Sequence, residues 1–159
     1  MFRGLTTPLA GIDSYANGWS MQQNTNIPDS RAFSFIYFNG NTTATTISTA
    51  DTFVKIAGTT TVVNEKRFTA DNNKITYNDV EPIVGKITVT RGAIAPSNGA
   101  EFSIGIAKNG TIIPAPIASM GATTNNQAFQ INLNTEVDLV TGDYLEVFIK
   151  NNTDNTDIT

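Results

Sequence analysis

The sequence predicts an all-β fold: a two-sheet antiparallel sandwich of the jelly-roll type, preceded by an extended N-terminal arm. Three observations lead there. Apolar and polar residues alternate in short runs from Ala32 onward, tight-turn dipeptides separate several of those runs, and a 3.6-residue hydrophobic period is nearly absent.

Residues 1–31 show neither the helical nor the strand period and are interrupted by Gly4, Pro8, Gly11, Gly18 and Pro28. Phe2, Leu5, Leu9, Ile12, Tyr15, Trp19 and Ile27 are nonetheless too apolar for a segment that stays in water. The segment therefore reads as an anchoring arm docked on a partner or a neighbouring subunit, the alternative being a floppy terminus. The boundary falls at 31/32, with residues 32–159 as the sandwich domain.

Strands are expected near 33–38, 43–47, 52–57, 60–63, 66–69, 73–77 and 83–90, all rich in Thr, Val, Ile and aromatic residues. Phe102, Ile104 and Ile106 occupy one face of a further strand, with only Ser103, Gly105 and Ala107 opposite. Phe129, Ile131 and Leu133 alternate with amides in the next. The last clear strand, 143–150, places Leu145, Val147 and Ile149 on one face and Tyr144, Glu146, Phe148 and Lys150 on the other. Asn39-Gly40, Asn98-Gly99 and Asn109-Gly110 supply residues that tolerate the positive φ of hairpin turns. The Asn109-Gly110 turn should lead into a short strand, 111–113, stopped by Pro114 and Pro116. Eight or more short strands at this spacing favour a sandwich, and a jelly roll is the common solution.

Composition narrows the chemistry. The chain has 159 residues, 40% hydrophobic and only 15% charged, with Thr, Asn, Gly and Ser making up the difference. A domain of this size buries about 68–70% of its unfolded surface. The net charge is −4 and the ten Lys and Arg are scattered, which argues against a nucleic-acid partner. No apolar run approaches the roughly 18 residues of a membrane span, and the N-terminus lacks the pattern of a signal peptide, so a soluble protein made in a cytoplasm is expected. There is no cysteine and no histidine. Their absence removes disulfides and thiolate metal sites, together with the commonest general base and the usual activator of a nucleophile. No catalytic residue, cofactor or metal is assigned.

The strings at 54–61 (VKIAGTTT), 67–69 (RFT), 73–77 (NKITY), 106–113 (IAKNGTII), 139–148 (LVTGDYLEVF) and 151–159 (NNTDNTDIT) resemble a family of phage structural proteins. That family is similar to the trimeric jelly rolls of tumour-necrosis-factor-like (TNF-like) and complement-like domains, and it occurs in capsid decorations, head fibres and tail-fibre modules. The resemblance covers roughly residues 42 to 159. It implies a homotrimer in a virion, made in the host cytoplasm and bound to the major capsid protein or another virion protein, and it carries no catalytic residues. Such domains usually continue past the position of Ile158 and Thr159 into a final apolar strand. Either that strand is short here, a neighbour supplies it, or further sequence follows.

Candidate sites are few. Tyr144 and Phe148 read as interface anchors, since Glu146 and Lys150 share their face and would be costly in a closed core; the alternative is a second buried face. Ser103, Gly105 and Ala107 form a small-residue face that permits close approach, by another subunit or by a loop of the same chain. The acid pairs Asp79/Glu81 and Glu136/Asp138 could serve glycoside hydrolysis but read as solvated rim groups. Asp154 and Asp157 sit in a run of oxygen ligands suited to calcium, without the glycine and terminal glutamate of an EF-hand. Sequons at Asn41, Asn109 and Asn151 read as coincidence in an Asn- and Thr-rich chain. Two functions are in play. One is a trimeric capsid-decorating or head-fibre protein held by its arm. The other is a tail-fibre module whose loops, such as 120–127, contact a host receptor or glycan.

Overall fold

The computed structural model describes residues 12–15, 18–21, 31–94 and 97–158. The described chain is built of antiparallel strands and contains no helix. It divides into two compact units, Met1–Arg31 and Ala32–Thr159.

In the first unit, strands β1 (Ile12–Tyr15) and β2 (Gly18–Met21) pair antiparallel, with Ile12 opposite Met21 and Tyr15 opposite Gly18. Ile12, Tyr15 and Trp19 of the expected arm thus occupy a two-stranded ribbon. Phe2, Leu5, Leu9 and Ile27 lie outside the described residues.

The second unit begins with β3 (Phe33–Phe38), paired with β5 (Thr60–Lys66) across a register shift between Phe35 and Ile36. Most of the later strands form one sheet in the order β10-β9-β12-β7-β6. Its members are β6 (Phe68–Asp71), β7 (Lys74–Tyr77), β9 (Glu101–Lys108), β10 (Thr111–Gly121) and β12 (Tyr144–Asn151). The two-residue β4 (Val54–Lys55) joins β12 beside Phe148 and Ile149. The long strands β8 (Ile83–Ile94) and β11 (Ala128–Leu139) form a separate ladder, in register over all twelve residues.

Alternation in the sequence becomes one shared core. Phe102, Ile104 and Ile106 of β9 and Leu145 and Ile149 of β12 face the same cluster as Phe129, Ile131, Leu133, Val137 and Leu139 of β11. The rings of Phe102 and Phe129 stack with centroids 5.0 Å apart, which joins the larger sheet to the β8–β11 ladder. Each fully buried side chain of this size contributes about 1.5–3 kcal/mol of transfer free energy.

The turns follow their residues. Asn109 and Gly110 both take positive φ, at 52° and 76°, and close β9 onto β10 with Lys108 opposite Thr111. Asn72 and Asn73 do the same between β6 and β7, at 46° and 61°, a turn that carries no glycine.

Three expectations are corrected. Residues 43–47 form no strand but a single bridge, Thr45 to Ile158, and 52–57 contributes only β4. The prolines do not stop the strand after Asn109-Gly110. β10 continues to Gly121, because it lies at the sheet edge and its register shifts between Ile112 and Ile117, so Pro114 and Pro116 owe no ladder hydrogen bond.

Candidate interaction surfaces

The small-residue face of β9 is closed by the chain itself. Ser103 and Ala107 are buried and so is Gly105. A Cβ at Gly105 would meet the ring of Phe53 and Cδ1 of Ile112 at 3.5 Å, so these side chains occupy the space. The Ser103 hydroxyl lies 2.7 Å from that of Ser119 and accepts from Asn152 Nδ2 at 2.9 Å. Of the two readings of close approach, the one by a loop of the same chain is found.

Tyr144 and Phe148, expected on an exposed interface, are half-buried. The charges that argued against a covered face are paired within the chain: Lys55 Nζ lies 2.7 Å from Glu146 Oε1, and Lys150 pairs with Asp51. Lys74 sits 5.3 Å over the Tyr144 ring and Lys150 5.1 Å over Phe53. These contacts meet the charge requirement of the face without a second subunit.

Beside Tyr144, the Asn109-Gly110 turn is locked by Asp143. Its carboxylate accepts from the Asn109 side-chain amide at 2.7 Å and the Val140 backbone at 2.9 Å, and it pairs with Lys108 at 2.8 Å. The Lys108 contact and these hydrogen bonds lower the Asp143 pKa to about 2.

The oxygen-rich run after β12 is organised around Asn151, which is fully buried. Its amide donates to Asp154 Oδ1 at 2.7 Å and to the Thr156 carbonyl at 3.2 Å, and its oxygen accepts from the Thr153 and Asp154 backbone. Hydrogen bonds from Thr156 hold Asp154 below the usual carboxylate pKa. Asp157 caps the backbone N–H of Ile47 at 3.0 Å. Both acids are therefore occupied as backbone acceptors, and among the described residues no group of three or more potential ligands gathers. Asn151 of the third sequon has no accessible amide.

Of the acid pairs, Asp79 is bound to Arg67 at 2.6 Å, and the Glu81 carbonyl accepts from the Tyr77 hydroxyl. Glu136 and Asp138 share the exposed side of β11. On that side Thr88 and Thr90 of β8 donate to Asn134 and Asn132 of β11, making a polar ladder.

An exposed apolar stripe on β3 was not singled out from the sequence. Phe33, Phe35 and Tyr37 alternate along one face of β3 and remain exposed, Phe35 to 59%. The rings of Phe35 and Tyr37 stack with centroids 6.4 Å apart. Val63, opposite the register shift, is a further exposed apolar side chain. The signal is in the sequence: the strand FSFIYF is apolar on both faces, and only one face can meet the core. Phe38, on the other face, packs against the core cluster.

No protein-family model matches the chain, and none of the curated proteins matches it either.

Proposed function

We propose that the protein is a virion structural subunit: a TNF-like jelly roll that forms a homotrimer and decorates a bacteriophage capsid, held to the major capsid protein or another shell protein by its arm, residues 1–31. The observation that carries this reading is the aromatic stripe of Phe33, Phe35 and Tyr37, since soluble monomers rarely leave contiguous apolar surface open to water. The similarity of residues 42–159 to phage structural proteins supports the same context. In a closed trimer, one weak patch is used three times, and a symmetric array on a shell adds avidity.

The test has two parts. Native mass measurement of the full chain should give three times the monomer mass. A variant lacking residues 1–31 should stay folded and trimeric but no longer co-sediment with capsids; capsid binding retained without the arm overturns the anchoring role.

A second reading, a glycan-binding or receptor-binding module of a tail fibre, is favoured by one feature of the same stripe. Sugar faces stack on exposed aromatic rings, and Phe35 and Tyr37 offer two such rings outside the arm. A glycan array probed with the intact oligomer separates the two readings: binding lost in Phe35→Ser selects the module, and an empty array selects the capsid protein.

A further inference from the structure

The two strands of the β8–β11 ladder share one core but are unequally covered. Along β11 the inward residues Phe129, Ile131, Leu133, Val137 and Leu139 are between 2% and 9% exposed. Their counterparts Ile83, Ile87 and Val89 on β8 are only partly buried. The asymmetry lies beside the strands. β10 runs along β11, whereas among the described residues no strand pairs with the far edge of β8. A twelve-residue edge that no described strand pairs with is a surface that folded proteins usually cover.

A cleft of about 330 Å³ opens where the C-terminal end of β8 meets the start of β11. It is lined by residues 91–94 of β8, residues 128–129 of β11, and Asn41 and Thr42. The nearby Thr45 and Ile158 exchange two antiparallel backbone hydrogen bonds, at 2.7 and 3.1 Å.

Arg91 makes the cleft chemically specific. It stands on the inward side of β8, opposite Ile131, where an apolar residue would be expected. Its guanidinium lies 5.5 Å over the Phe38 ring and donates to the Gly92 carbonyl. Its Nε is buried without a hydrogen-bond partner, and among the described residues no carboxylate pairs with it. Burial holds its pKa below the ordinary value, the mark of a cation short of a counter-charge.

We propose that this cleft is a strand-acceptor site: one extended segment of another polypeptide pairs with the free edge of β8, turns alternate apolar side chains toward Ile87 and Val89, and sets a carboxylate against Arg91. Edge pairing supplies affinity through main-chain hydrogen bonds, and alternate side chains supply selectivity. The β8 of a second copy carries Lys86 and Arg91 and no acid, so it does not supply the carboxylate that Arg91 lacks, and the occupant is an acid-bearing strand of another polypeptide. The proposal goes beyond the particle reading and stands or falls independently of it.

The test uses the full chain and a capped nonapeptide, Val-Thr-Val-Thr-Glu-Thr-Val-Thr-Val, whose odd positions point one way. In the chain alone, amide exchange along β8 should be fast at every second residue while β9 is protected. The peptide should slow that exchange, and its Glu→Gln version should bind about tenfold more weakly, as expected for loss of a charge-assisted contact. Arg91→Leu should bind both peptides equally, and Arg91→Lys should restore part of the difference, which keeps the result interpretable if one variant folds poorly. No binding at millimolar peptide, or equal binding of both peptides to the unaltered protein, overturns the proposal. So does protection of the β8 edge in the chain alone, whether it persists in the monomer or disappears when an oligomer is diluted apart, because the cleft is then filled by this chain or by a second copy.

Discussion

Asp143 carries the clearest pH dependence at the scale of single residues. A carboxyl whose folded pKa lies below its unfolded value of 3.8 stabilises the fold above that value, and the contribution disappears as pH falls through about 2. Thermal melts should therefore drop between pH 4 and pH 2, and Asp143→Asn should flatten that part of the profile while lowering the melting temperature at pH 7. Gly105 provides a second test. Its Cβ position is in ordinary contact distance of Phe53 and Ile112, so Gly105→Ala should stay within about 1 kcal/mol of the parent in urea unfolding. Gly105→Lys would bury an unpaired charge against the same two side chains and should cost 3 kcal/mol or more, on the order seen for broken buried pairs.

Among the elements, the turns are where residue identity and backbone agree most closely. Asn109-Gly110 places two residues at positive φ, and a Cβ at Gly110 would meet the Tyr144 hydroxyl at 3.4 Å. Gly110→Ala should destabilise by about 1 kcal/mol in urea unfolding, through backbone strain rather than lost packing. The β9–β10 hairpin was legible for this reason. The Asn72-Asn73 turn was less so, because Asn reaches positive φ without advertising it as Asn-Gly does. Asn73 is held there by its own side chain, which donates to the Ile56 and Gly58 carbonyls at 3.0 and 2.6 Å. The continuation of β10 through Pro114 and Pro116 was not legible, since a proline is excluded from a strand only where its neighbours need a donor.

For the whole molecule, the apolar stripe on β3 separates folding from assembly. The double substitution Phe35→Ser, Tyr37→Ser removes exposed rings and should leave the melting temperature of the monomer nearly unchanged. Under the trimer reading it should reduce the mass in solution from trimer to monomer; a full-mass trimer with both rings gone would place the subunit interface elsewhere. The face first expected to serve that role, around Tyr144 and Phe148, already has its charges matched by Lys55 and Asp51.

The sequence by itself determined the all-β class, the core faces of β9, β11 and β12 and the Asn109-Gly110 hairpin, because alternation and turn chemistry are local and survive without knowledge of neighbours. It also marked which residue types are missing from the chain. Only the tertiary structure decided what covers each face: that Phe53 fills the space over Gly105, that Lys55 neutralises Glu146, that the Phe35 and Tyr37 side of a doubly apolar strand is the one left open, and that Arg91 stands on the inward side of β8. Those outcomes depend on residues tens of positions apart meeting in space, and a strand's own period says that it has two faces but not which partner each one finds.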